Sequence, residues 1–237
     1  MTKNITKAQI PQKDSKVISY PNLVDSESLK ENSGVIRNPG TDFRLDKISN
    51  IAINKSAVER RCTNYGTRRS IKKDKQAAWL LKAITLMDLT TLSGDDTEAR
   101  VRRLCSKAKQ PISNKLEKIL GAESLDLSVA AVCVYHDMLA SAKKALNNSK
   151  VNLAAVSTGF PAGLSPLPLR LKEIEYSVDS GANEIDIVIS RRHVLEGNWE
   201  ELYKEVKMFR EKCGDAHMKT ILATGELGNL SNIAKAS

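Results

Sequence analysis

From Ala83 onward, short apolar runs alternate with longer amphipathic stretches. The runs are AITLMDL, SVAAVCVY, NLAAVST, EIDIVIS and HMKTILAT, each rich in Val, Ile, Leu and Ala with few polar positions between them. Runs of that length and composition fit strands buried on both faces of a parallel sheet. They place strand starts near residues 84, 128, 152, 184 and 217. Between them, helical spacing covers 97–109, about 137–147, 167–181 and 199–213. Gly181 is a natural stop for the third of these, and Asp95, Asp96 and Thr97 supply capping chemistry before the first. Two more helices are expected upstream. One begins near Ser56, and the other spans about 72–82, where Ala77, Leu80 and Leu81 share a face. Residues 1 to about 50 show little periodicity and are rich in Lys, Asn, Ser and Asp. The expected division is a disordered basic extension over 1–54 and an α/β domain over 55–237.

Regular βα alternation means a parallel sheet with helices outside it. An open doubly wound sheet and a closed (β/α)8 TIM barrel both satisfy that pattern. No GxGxxG follows the first run, which removes the usual dinucleotide-binding signal. Polar residues inside the runs (Asp88, Cys133, Asp186, Lys219) favour the barrel over the open sheet. In an open sheet they would be buried under helices at considerable cost, whereas in a barrel they point into the lumen.

Composition changes this picture little. The chain is 41% hydrophobic and 27% charged, ordinary for a globular protein. No apolar run approaches 18 residues and no secretory leader is visible, so no membrane partner is expected and the expected location is cytoplasmic. Cys62, Cys105, Cys133 and Cys213 form no CxxC pair, as expected of reduced thiols. The net charge of +9 is unevenly spread: residues 1–75 hold 16 Lys+Arg against 8 Asp+Glu, and the remainder holds 21 against 20. No aromatic residues interleave with that basic segment, so a solvated tail is expected rather than a nucleic-acid surface.

Asp88, Asp186 and Lys219 lie in three different apolar runs. A buried lysine with lowered pKa can attack a carbonyl, and a neighbouring carboxylate can relay protons. A buried ion pair is the structural alternative. Residue types alone therefore point to carbonyl chemistry on a small substrate without singling out a reaction.

The segments LMDLTTLSGDDT (86–97), AAVCVY (130–135), GFPAG (159–163), GANEIDIVI (181–189) and LATGEL (222–227) occur in that order. Together they closely resemble the strand-end motifs of deoxyribose-phosphate aldolases of the animal type, from about residue 55 to the last. The resemblance implies a (β/α)8 barrel of which about five units are matched. It implies class I, Schiff-base cleavage of 2-deoxy-D-ribose 5-phosphate to acetaldehyde and D-glyceraldehyde 3-phosphate, without a metal or other cofactor. It implies a small phosphorylated sugar as partner, and self-association is possible. By the same resemblance, Asp186 matches the proton-relay aspartate and Asp88 an aspartate that orders the site's lysines. Lys219 matches an active-site neighbour rather than the nucleophile. Thr90 and Cys133 match residues that line the substrate pocket. The family's Schiff-base lysine sits in a segment reading roughly F-I-K-T-S-T-G and a second lysine in K-P-A-G-G, and neither segment occurs here. The expectation is a chain that stops after the fifth unit and is not a competent aldolase alone. The alternatives are a non-catalytic form that binds a longer relative, and a basic-tail module. His136, which could cap the following helix, His193 and His217 are expected to be structural.

Overall fold

A computed structural model describes residues 40–68 and 70–237. The expected disordered extension, for positions 1–39, lies outside the described residues. Residues 43–237 form one compact unit. It opens with three helices, α1 (Leu45–Ser49), α2 (Lys55–Tyr65) and α3 (Lys73–Ile84), the first of them inside the expected extension. There follow β1 (Asp88–Thr90), α4 (Glu98–Lys109), α5 (Asn114–Leu120), β2 (Ala131–Val134), α6 (Leu139–Leu146), β3 (Asn152–Val156) and α7 (Leu167–Asp179). The order closes with β4 (Glu184–Val188), α8 (Arg191–Glu196), α9 (Trp199–Lys212), β5 (His217–Ile221) and α10 (Leu230–Ala236).

The expected strands stand at 152, 184 and 217, but the first is shorter and later than AITLMDL implied. Ala83 and Ile84 continue the helical face of Ala77, Leu80 and Leu81, and Ile84 packs on the core. Thr85, Leu86 and Met87 donate backwards to Lys82, Ala83 and Ile84, so the run unwinds as turns before Asp88. An apolar run that serves a helix end and a strand start in succession cannot be divided by periodicity alone.

All five strands are parallel and lie in the order β1-β2-β3-β4-β5. Consecutive order with every crossover of one hand puts all helices on one face. The core shows this directly. Val132, Val134, Leu153, Ala155, Ile185 and Ile187 face Val101, Cys105, Leu139, Ala142, Ile174 and Phe209 of the helices. The alternate strand positions Ala131, Cys133, Ala154 and Val156 form a separate inner cluster with Leu92, Tyr135, Phe160 and Ile221. A doubly wound sheet would have helices over both faces.

Register shows the same curvature. Asp88 pairs with Ala131, and Ala131 with Asn152. Two residues further up β3, Ala154 pairs with Glu184, which pairs with His217. The position level with Asp88 on the fifth strand is therefore 215, and Lys219 lies four residues beyond it. A barrel of eight strands with shear 8 advances about one residue per strand, or about four from the first strand to the fifth. Asp88 and Lys219 stand at one height in such a barrel.

A buried polar network ties the upper ends of β3 and β4 to the helices. The Arg170 guanidinium pairs with the Glu205 carboxylate and donates to the carbonyls of Thr158 (2.8 Å) and Val188 (2.5 Å) and to Ser190 Oγ (2.9 Å). It also lies 4.8 Å from the Phe209 ring centroid. Glu205 accepts from Ser190 N at 2.9 Å, so both charges are satisfied inside the core. Replacing Arg170 with Ala leaves Glu205 buried without its cation. The expected destabilisation is about 3–5 kcal/mol, read from the shift of a urea unfolding curve.

Candidate active site

Lys219 stands on β5, on the inner face, with its ammonium against three carboxylates. The distances are 2.5 Å to Asp88 Oδ2, 2.9 Å to Glu184 Oε2 and 3.1 Å to Asp186 Oδ1. Asp186 is opposite Lys219 in the ladder, and Glu184 is two residues earlier on the same face. Asp88 comes from β1, four strands away. Four steps of a flat sheet span roughly 19 Å, a gap that a lysine and an aspartate side chain cannot bridge. The contact exists because the sheet is curled.

Burial opposes a charge on Lys219, but hydrogen bonds to Asp88 and Glu184 and the charge of Asp186 outweigh it. The lysine is held as an ammonium, its pKa well above the ordinary lysine value. Of the two readings that residue type left open, a buried lysine of lowered pKa and a buried ion pair, the geometry around Lys219 is that of an ion-paired ammonium. Asp186 moves the other way from a usual carboxylate. Burial raises its pKa, and the nearby Lys219 ammonium only partly offsets that. Its Oδ1 faces the ammonium without an aligned hydrogen bond, while Oδ2 accepts from Cys133 Sγ at 3.5 Å. Burial, then the neighbouring Asp186 charge, pushes the Cys133 thiol up to about 12. A fixed ammonium beside a carboxyl that readily takes a proton is equipment for proton transfer.

Of the expected site residues, Asp88, Asp186, Lys219 and Cys133 are thus brought together. Thr90 is opposite Cys133 in the ladder, on the same side of β1 as Asp88, and is exposed. Glu184 was missed. Its signal was alternation: in EIDIVI, a residue two before Asp186 must share its face. His136 caps no helix. It lies edge-on to Tyr135 and Tyr176, with a buried Nδ1 that has no partner. Among the described residues, no group of three His, Cys, Asp or Glu side chains is arranged to hold a metal ion.

The loops above the strands are braced. Asp96, its side chain nearly buried, accepts from Thr91 Oγ1 at 2.8 Å, Ser93 N at 3.1 Å and Arg100 at 3.1 Å. Thr97, not an aspartate, caps α4 by accepting from Arg100 N. In GFPAG, Gly159 N donates to Glu173 at 2.7 Å. Gly163 adopts φ +69°, and a Cβ there would stand 3.1 Å from Ile189 O, so this turn requires glycine.

A family model described as DeoC/LacD family aldolase matches residues 82–236. The chain is 54% identical over 200 residues to the deoxyribose-phosphate aldolase of Mus musculus, covering 84% of this chain and 63% of that protein. It is 53% identical over 202 residues to the Homo sapiens deoxyribose-phosphate aldolase, covering 84% and 64%. The chain thus spans a little under two thirds of the length of these relatives. A solved deoxyribose phosphate aldolase from Aeropyrum pernix, described as tetrameric, superposes with TM-score 0.50 at 22% identity, covering 66% of this chain and 58% of that one. That likeness concerns the fold.

Two measurements follow from the electrostatics. At about pH 8, iodoacetamide should label the exposed Cys62 and leave the buried Cys133 unmodified in the folded chain, as read by peptide mass spectrometry. Lys219→Met removes the cation from among three carboxylates. A carboxyl whose folded pKa lies above its unfolded value stabilises most at low pH and less as pH rises. The Met variant should therefore lose more thermal stability, relative to wild type, at about pH 8 than at about pH 5. An equal loss at both would mean that the cluster's charges do not govern it.

Proposed function

Because the chain belongs to the DeoC/LacD family of aldolases, we propose that it serves reversible aldol cleavage of 2-deoxy-D-ribose 5-phosphate to acetaldehyde and D-glyceraldehyde 3-phosphate, the activity implied by its likeness to the mouse and human aldolases. The observation that carries this reading is Lys219 held among Asp88, Glu184 and Asp186 on the inner face of the curled sheet.

In this reading Asp186 takes the proton that must leave, and return to, the reacting carbon or hydroxyl. A carboxyl raised by burial suits that exchange better than one fixed as an anion. Lys219, kept as an ammonium, stabilises negative charge as it develops on substrate oxygen. Asp88 and Glu184 hold that ammonium in place. Thr90 and Cys133 line the sugar's path, Thr90 by its hydroxyl and Cys133 as a small neutral thiol. Carbonyl addition needs an unprotonated amine, which Lys219 is not. The chain supplies the proton-transfer half of the reaction, and the resemblance assigns the nucleophile to a lysine in a segment that this sequence does not contain.

Incubation of the 237-residue chain with 2-deoxyribose 5-phosphate, followed by borohydride and intact-mass measurement, should give no adduct on Lys219. A stable adduct mapped to Lys219 would overturn the role assigned to it.

A further inference from the structure

Arg191 is the first residue of α8, directly above β4, and its side chain is only 17% exposed. It touches the two loops that flank its own, those after β3 and β5. Nη1 and Nη2 donate to the carbonyls of Pro161 (3.3 Å) and Ala162 (3.0 Å) in the GFPAG turn, and Nε meets Glu226 Oε2 at 2.9 Å in the turn after β5. None of these partners lies on its own helix. A guanidinium presents planar donors in a fixed fork, which lysine cannot reproduce.

The turn that Arg191 grips carries Phe160, next to Pro161. The Phe160 ring packs on the inner cluster that contains Cys133, at 5.9 Å from the Tyr135 ring. Cys133 in turn contacts Asp186. The remaining charged groups around Asp186 are Lys219, Glu184 and Asp88. A chain of contacts therefore runs from Arg191 through two backbone carbonyls to Phe160, and from Phe160 to the apolar wall beside the carboxylate–ammonium cluster.

We propose that Arg191 is a positioning residue: it clamps the GFPAG turn so that the Phe160 ring covers the inner face and keeps water from Cys133 and Asp186. Its significance for catalysis rests on the reading of that face as the reacting one, but the clamp can be tested without turnover. Glu226 is 65% exposed and contributes orientation, so E226Q, which still accepts from Arg191, keeps the clamp.

The experiment is the alkylation rate of Cys133 in the full chain at fixed pH, measured by peptide mass spectrometry with Cys105 as the internal control. Cys105 is fully buried in the helix-side core, on the other face of the sheet, so its alkylation would report global unfolding. R191M should speed alkylation of Cys133 by roughly tenfold or more, with Cys105 unchanged, because freeing a turn from charge-assisted bonds makes local opening easier. F160A should do the same, and E226Q should match wild type. Amide exchange over 159–165 should quicken in R191M and not in E226Q. The proposal is overturned if R191M leaves Cys133 as protected as in wild type. It is equally overturned if F160A does, since Phe160 would then not be the cover, or if Cys105 and Cys133 become reactive together. A stable borohydride adduct on Lys219 would count against the proposed function and leave these outcomes readable, since none of them depends on turnover.

Discussion

The ammonium of Lys219 is the constraint around which the inner face is arranged. Three carboxylates from β1 and β4 converge on it, and none could be half-buried beside the others without a cation between them. Packing alone does not demand this. The helix-side face of the sheet is filled by Val, Leu, Ile and Phe and is self-sufficient. The inner face has small residues, Ala131, Cys133 and Ala154, and would be an open trough without the polar contacts that span it. One charge thus joins the two halves of the architecture: the curl of the sheet brings Asp88 within reach, and the ion pair in turn favours the curl. The same charge separates the roles of the residues around it. Hydrogen bonds and neighbouring charge hold the lysine as an ammonium, while burial raises the pKa of Asp186.

A second charged pair, Arg170 and Glu205, performs a different task in the helix layer. It satisfies the carbonyls of Thr158 and Val188 where β3 and β4 end and their loops begin. Thr158 itself sits at φ 59°, a conformation uncommon outside glycine, and its hydroxyl bonds both the N–H and the carbonyl of Val188. The strand ends are thereby fixed from behind, and the residues that reach the inner face above them inherit that rigidity.

Much of this could be read from the sequence. The alternation of apolar runs and amphipathic stretches located the strands at 152, 184 and 217, and the charged residues inside the runs pointed to an enclosed face. The helix-to-strand transition at Ala83–Asp88 was not separable, because the same apolar residues serve first a helical face and then a turn. Glu184 was overlooked although strand alternation placed it beside Asp186. Arg170 and Glu205 were also legible in principle. Each shares a helical face with buried neighbours, Arg170 with Ile174 and Ser177, and Glu205 with Leu202 and Phe209. Charges on an apolar face are easily assigned to the solvent side when each helix is read by itself. Arg191 could not be foreseen, since its partners are backbone carbonyls on a turn 29 and 30 residues away, and spacing carries no trace of them.

The consecutive order of the strands has a kinetic consequence. Each βα unit leans mainly on its immediate neighbours, so the sheet can grow by addition of adjacent units, with only short loops to close at each step. The bond between Lys219 and Asp88 bridges 131 positions of chain and cannot form until five strands are in place. Such a contact belongs to the late, native side of the folding barrier. It holds the assembled sheet closed and slows its opening, while contributing little to the speed with which the sheet first forms.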